Sequence, residues 1–207
     1  MPRGNLLGQM KLQIPERPFE AYIFDCDGTL ADTMPVHFRA WSRVMEEEGG
    51  SFPEDLFYSW GGRPPSEIVA ELNIRCRLNM SVEETVTRKE GYYLEMLAGV
   101  EPVHAVLEIA RQNFGRLPMA VASGGHRDVV LATLDLIGAT SLFGAVVCAE
   151  DYERGKPAPD PFLKAASKLG VAPAGCLVFE DSPTGILAAE AAGMAHVFVN
   201  TRDGTPA

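Results

Sequence analysis

The chain is short of basic residues. Its 18 lysines and arginines face 28 aspartates and glutamates, leaving a net charge of −10 over 207 residues. A surface of that sign disfavours sequence-independent nucleic-acid binding, which depends on cations meeting phosphates, so no nucleic-acid partner is expected. Long hydrophobic runs are missing too. No stretch approaches the roughly 18 apolar residues of a membrane-spanning helix, so no membrane partner is expected either. The opening "MPRGNLLGQMKLQIPERPFE" mixes charges and prolines without the continuous apolar segment of a secretory leader. Cysteine is sparse: Cys26, Cys76, Cys148 and Cys176 form no CxxC pair and no zinc-like spacing. They are expected to be reduced thiols in a cytoplasmic protein, three of them in apolar strand-like surroundings where free cysteine acts as a small hydrophobe. Internal repeats and low-complexity tracts are absent. What remains, 46% hydrophobic and 22% charged residues, is ordinary for a globular chain. A chain this long buries roughly 70% of its unfolded surface, enough for a core without staples.

Short apolar runs alternate with longer helical patterns. "EAYIFDC" (20–26), "LPMAVAS" (117–123), "GAVVCAE" (144–150), "CLVFED" (176–181) and "AHVFVN" (195–200) are apolar on consecutive positions, as strands covered on both faces are. Helical patterns at about 125–137, 159–170 and 183–192 separate the later ones. Alternation of this kind predicts an α/β fold with a doubly wound parallel sheet. Asp160 with Pro161, and Ser182 with Pro183, are expected to start helices as cap and first helical residue.

One segment interrupts the alternation. Between about 33 and 99 no strand is evident, only helical patterns at 34–48, 66–74 and 81–98, the first with Phe38, Trp41 and Met45 on one face. That is too long for an ordinary βα connection. It predicts a small helical cap (33–99) inserted into an α/β core (1–32 and 100–207), with residues 1–18 as a loosely held arm and hinges near Ala31–Thr33 and Gly99.

In parallel sheets ligands bind at the carboxyl ends of the strands. The first strand ends in Asp25 and Asp27, the next in Ser123, Gly124 and Gly125; the loop after the third carries Lys156, and the fourth ends in Glu180 and Asp181. Alone, each has an ordinary structural use: a turn, a surface loop or a helix cap. Occurring at successive strand ends, they predict one pocket. Residues i and i+2 of an extended chain share a face, so Asp25 and Asp27 can point together. With Asp181, and Glu180 nearby, they offer hard oxygen ligands suited to Mg²⁺. Ser123, Lys156 and glycine-turn amides can hold phosphate oxygens, and Gly28 and Gly124 permit close backbone approach. The set is that of a phosphoryl-transfer centre, with one carboxylate as nucleophile and the other as acid and base.

These motifs resemble those of the haloacid dehalogenase superfamily. "FDCDGTL" is similar to its first motif, the serine of "VASGG" to its second, the lysine of "GKPAPD" to its third and "FEDSPTG" to its fourth, and "GILAAEAAGM" to the helix that follows. The resemblance covers about residues 20–200 and implies a Rossmann-like core. It implies Asp25 as nucleophile, Asp27 as general acid and base, and Ser123 and Lys156 on the transferring phosphoryl group. It also implies a Mg²⁺ site formed by Asp25, the Asp27 carbonyl and Asp181, with Glu180 nearby. "ADTMPVHFRAW" and "WGGRPPSEIV" resemble cap segments of the β-phosphoglucomutase-like and fructose-1-phosphatase-like branch, implying substrate-side roles for His37 and Arg63. Members that act as mutases carry a polar Ser-Lys-like pair two positions past the second-motif serine. Gly125 and His126 stand there instead, beside the phosphoryl-binding Gly124. A monomeric phosphatase of small phosphorylated metabolites such as fructose 1-phosphate is therefore expected. A hexose-phosphate mutase and a non-catalytic phospho-acceptor switch are the alternatives, and Asp27 speaks against the latter, which has no use for an acid and base.

Overall fold

Five parallel strands, β1 (Ala21–Phe24), β2 (Met119–Ala122), β3 (Ala145–Val147), β4 (Cys176–Glu180) and β5 (Ala195–Phe198), form one sheet in the order β3-β2-β1-β4-β5. The structure is a computed structural model that describes residues 12–201. Alternation along the central strands explains why the sheet is covered twice. Tyr22 and Phe24, Met119 and Val121, and Leu177 and Phe179 face one apolar cluster. Ala21 and Ile23, Ala120 and Ala122, and Cys176 and Val178 face the other. Phe24 stacks on Phe179 across β1 and β4, with centroids 4.7 Å apart. Of the N-terminal arm, residues 1–11 lie outside the described residues; Leu12 is half-buried against the core, and residues 13–18 are exposed.

After β1 come four helices: α1 (Met34–Glu47), α2 (Glu54–Ser59), α3 (Pro65–Cys76) and α4 (Val82–Met96). They enclose an apolar cluster of their own, with Trp41, Met45, Phe57, Trp60 and Leu72 buried and Phe38 half-buried against it. The chain leaves and re-enters the sheet along paired backbones. Asp32 N–H donates to Glu101 O at 2.8 Å and Val103 N–H to Leu30 O at 2.9 Å. Two further helices, α5 (His104–Asn113) and α6 (Arg127–Leu136), cover the Phe24 face; α7 (Asp160–Leu169) and α8 (Pro183–Ala191) cover the Ile23 face. The sheet is doubly wound, as the alternation of patterns predicts. No helix among the described residues is long and apolar enough to cross a membrane.

Local signals succeed at one helix start and fail at three. Ser182 caps α8, its Oγ accepting from Gly185 N–H. Asp160 does not cap α7: it lies inside the first turn, and its carboxylate accepts from Arg154 at 2.8 and 3.1 Å. That ion pair takes the oxygen a cap would need. The sequence reading places no helix over α2 or α5. Six residues are too few to display a period, and α5 starts from Val103 with no side-chain cap.

Candidate active site

β1 and β4 are neighbours, and their carboxyl ends put three acids side by side. Between them stands one cation. Lys156 Nζ donates to Asp25 Oδ1 at 2.6 Å and to Glu180 Oε2 at 2.7 Å. The ammonium is buried, as are both carboxylates. Glu180 also organises the turn that follows it, its Oε1 accepting from Asp181 N–H, Ser182 N–H and Ser182 Oγ–H at 2.8 to 3.1 Å. One carboxylate thus ties Lys156 to the start of α8. Burial, reinforced by Glu180, pushes the Asp25 carboxyl up to about 7 despite the lysine. Burial, then Glu180 and Asp25, hold Asp181 well above the usual carboxylate range. Burial opposes the Lys156 charge, but Asp25 and Glu180 outweigh it and raise its pKa.

Asp27 has the opposite environment. Its Oδ1 accepts from Thr33 Oγ1 at 2.8 Å and lies 3.0 Å from His37 Nε2; its Oδ2 accepts from Ser123 Oγ at 3.3 Å. Lys89 Nζ lies 3.0 Å from His37 Nδ1. An ammonium can only donate, so Nδ1 accepts and the imidazole hydrogen sits on Nε2, directed at Asp27. Burial and then Lys89 lower the His37 pKa, consistent with a neutral ring, which stacks on Tyr93 at 4.1 Å. Burial alone would raise Asp27, but His37, Thr33 and Lys89 outweigh it and hold the carboxyl below its ordinary value. Two aspartates two residues apart are therefore biased in opposite directions by their surroundings in the metal-free protein.

A cavity opens over this edge beneath the helical insert. Asp25, Asp27, Gly124, Gly125, Glu180 and Asp181 line it from the sheet side, and His37 and Arg63 from the insert. Ser123 and Lys156 stand behind that lining, buried against Asp27 and Asp25. Gly125 N–H donates to Ser123 Oγ at 3.0 Å, which orients the hydroxyl. Arg63 is exposed at the rim with its guanidinium 5.2 Å from the Trp60 ring. His126 lies outside this lining. Its ring faces Glu90 of α4 and borders a neighbouring surface cavity, because three residues past Ser123 the chain has already turned into α6. Sequence reading names Thr33 only as a hinge position and does not single out Lys89 or Glu90. Lys89 carries a visible signal all the same: it falls with Val86 and Tyr93 on the buried stripe of α4, where a lysine needs a partner.

The acids fit a small hard cation. Asp25, Glu180 and Asp181 each place a carboxylate oxygen within 4.8 Å of the others, and Lys156 is the cation paired with two of them. A pH dependence follows. Asp25 keeps its proton to about pH 7 when folded but only to 3.8 in the reference state, so across that window the folded protein holds more protons. The Asp25 contribution to stability then falls as pH rises through that window, against the smaller opposite trend of His37, whose pKa burial lowers. Melts of metal-stripped protein should show Tm decreasing from about pH 5 to about pH 8, with Mg²⁺ recovering most of the loss. A Tm that rises over that range would contradict the charge excess.

Gly28 is required twice here. Its φ is +87°, and a Cβ would lie 2.2 Å from Asp181 Oδ2. Gly28→Ala should cost about 1–3 kcal/mol in urea unfolding and, by displacing Asp181, abolish the Mg²⁺-induced rise in Tm. An unchanged rise would show that Asp181 is not held by this approach.

Known proteins share both fold and sequence. The family described as haloacid dehalogenase-like hydrolase matches residues 19–193. Fructose-1-phosphate phosphatase YqaB of Escherichia coli is 36% identical over 185 residues, 87% of this chain and 96% of its own. The phosphorylated carbohydrates phosphatase of Thermotoga maritima is 31% identical over 183 residues, 86% of this chain and 84% of its own. Among solved structures, β-phosphoglucomutase from Clostridium difficile superposes with a TM-score of 0.75 at 25% identity, covering 86% of this chain and 83% of that one. With the family match spanning most of its length and relatives above 30% identity along nearly all of theirs, the chain belongs to the haloacid dehalogenase-like hydrolases.

Proposed function

We propose that this phosphoric monoester hydrolase acts on small phosphorylated sugars or polyols, with Mg²⁺ bound and through an aspartyl-phosphate on Asp25. The observation that carries this reading is the split between the two aspartates: one held by Lys156 at the cavity floor, the other in a hydrogen-bonded network with His37. Asp25, Asp181 and Glu180 would hold the ion, and Asp27, whose carboxylate is engaged elsewhere, would lend its main-chain carbonyl. When bound, Mg²⁺ neutralises charge on the transferring phosphoryl group.

The chain's own residues divide the remaining work. The Gly124 backbone takes phosphoryl oxygens at the carboxyl end of β2, and Ser123 behind it turns its hydroxyl from Asp27 to the entering phosphoryl group. Asp25 attacks phosphorus and the ester P–O bond breaks, the leaving oxygen taking its proton from Asp27. Asp27, now a carboxylate, removes a proton from the water that attacks the aspartyl-phosphate, and Asp25 is released with inorganic phosphate. Without substrate Asp27 is held ionised; a phosphoryl dianion close by raises its pKa and lets it take up the proton the first step needs, while Lys156 and a bound cation would favour the carboxylate form of Asp25 that the attack requires. The helices between 33 and 99 act as a lid that excludes water, with His37 reaching Asp27 from the lid side and Lys89 holding His37.

Incubation with a phosphate-ester panel and Mg²⁺ should release inorganic phosphate, fructose 1-phosphate among the better substrates, with the free sugar as organic product. The structural likeness to a β-phosphoglucomutase keeps one other outcome in view: an isomerised sugar phosphate, stimulated by a bisphosphate and with little free phosphate, would mark a mutase. Stoichiometric phosphoprotein without turnover would mark a switch.

A further inference from the structure

The wall of the cavity opposite the sheet carries an acid that the chemistry above does not use. Glu90 follows Lys89 on α4 and lines the same cavity as Asp25 and Asp27. Its side chain is only 12% exposed, and its two oxygens lie 2.9 and 3.0 Å from His126 Nδ1. The carboxylate accepts, so the Nδ1 hydrogen belongs to His126. The pair bridges the helical insert to the residue that follows the Ser123–Gly125 loop, and holds Glu90 in the wall of the cavity.

Resting on the phosphatase reading above, we propose that Glu90 determines the substrate class: it accepts hydroxyl groups of a neutral sugar or polyol and excludes substrates bearing a second phosphate. A carboxylate and a phosphate dianion are both acceptors of like charge, and neither can donate a hydrogen bond to the other. In a partly buried cavity their repulsion is poorly screened, whereas a sugar hydroxyl can donate to Glu90 directly. The nearby cations do not reverse this. Lys89 also lines the cavity, but its single charge is shared between two carboxylates, Glu90 beside it and Asp27 beyond His37, and Arg63 is exposed at the rim beside Trp60. The rest of the wall suits a neutral ring: Met34, Phe57 and Trp60 offer apolar faces to carbohydrate C–H groups. His126 is a positioning residue in this scheme, holding Glu90 rather than touching substrate.

The test compares kcat/KM for matched esters, fructose 1-phosphate against fructose 1,6-bisphosphate and glucose 1-phosphate against glucose 1,6-bisphosphate, with Mg²⁺ and the full chain. The native protein should prefer the monophosphate by at least about tenfold, and Glu90→Gln should narrow that ratio by about tenfold. Glu90→Asp, which keeps the charge, should retain the preference; a residue needed only for structure would move the ratio equally in both variants. Equal use of both esters by the native protein overturns the inference without any variant, as does a ratio that Glu90→Gln leaves unchanged. A native protein that hydrolyses these esters but fails to discriminate refutes only the role of Glu90. One that releases phosphate from none of them, nor from p-nitrophenyl phosphate, refutes the phosphatase reading and the inference with it.

Discussion

Asp25→Asn should reduce phosphate release by about 10⁴-fold or more while leaving the protein folded. An amide cannot attack phosphorus, and no other described side chain stands where the Asp25 carboxylate does, between Lys156 and the cavity. The fold should tolerate the change because this carboxylate is an electrostatic burden. It is 5% exposed, and burial together with Glu180 has already pushed its carboxyl up to about 7. The neutral amide relieves the crowding with Glu180 and Asp27, and the lysine keeps its 2.7 Å contact with Glu180. In metal-free buffer near neutral pH the variant's Tm should therefore equal or exceed that of the native protein. Phosphate release with a coupled assay, and melts on the same samples, check both halves. Undiminished turnover would remove Asp25 from the mechanism.

Lys156→Met should be the most destabilising single change in the site, at about 3–5 kcal/mol. Methionine matches the length and fills the volume, but it leaves Asp25, Glu180 and Asp181 together without the ammonium that pairs with two of them. Breaking a buried pair from one side is costly because the remaining charges lose their counter-ion. The variant should also lose turnover. Without the ammonium, the influence that lowers the Asp25 carboxyl is gone, so its pKa rises further and the acid limb of the pH–rate profile moves to higher pH. Mg²⁺ should rescue stability more in this variant than in the native protein, because the bound ion would then be the main compensating charge. Urea unfolding with and without Mg²⁺ measures this. A loss below about 1 kcal/mol, the range of an exposed pair, would mean that the buried contacts carry little net free energy.

The loop that carries Lys156 shows how far sequence reading reaches. "GKPAPD" after β3 marks a lysine for the carboxyl edge of the sheet, and the strand order allows it to meet the neighbouring acids. That it stands between Asp25 and Glu180, from β1 and β4, required the crossover that returns the chain to the far side of β1. The insert shows the opposite case. Its helices α1, α3 and α4 are legible because their apolar positions recur at helical spacing, yet the same reading passes over Lys89 and Glu90. Helical periodicity says which face of α4 is buried but not what it is buried against. His126 falls outside the cavity lining for a related reason. Adjacency to Ser123 in sequence suggests adjacency in the site, but the turn into α6 carries its ring to Glu90.

The class of fold and the gathering of polar residues at the strand ends follow from the amino-acid sequence without coordinates. Consecutive apolar residues demand a sheet covered on both faces, and residues at the carboxyl ends of parallel strands converge whatever lies between them. How the two aspartates differ was settled only by tertiary structure. The ammonium that holds Asp25 comes from 131 residues away, and the imidazole and hydroxyl that hold Asp27 come from 10 and 6 residues away. No local pattern encodes those pairings, nor the approach of Glu180 that helps push Asp25 up. A pKa is set by desolvation and by charges within a few ångströms, and both come into existence only when the chain has folded.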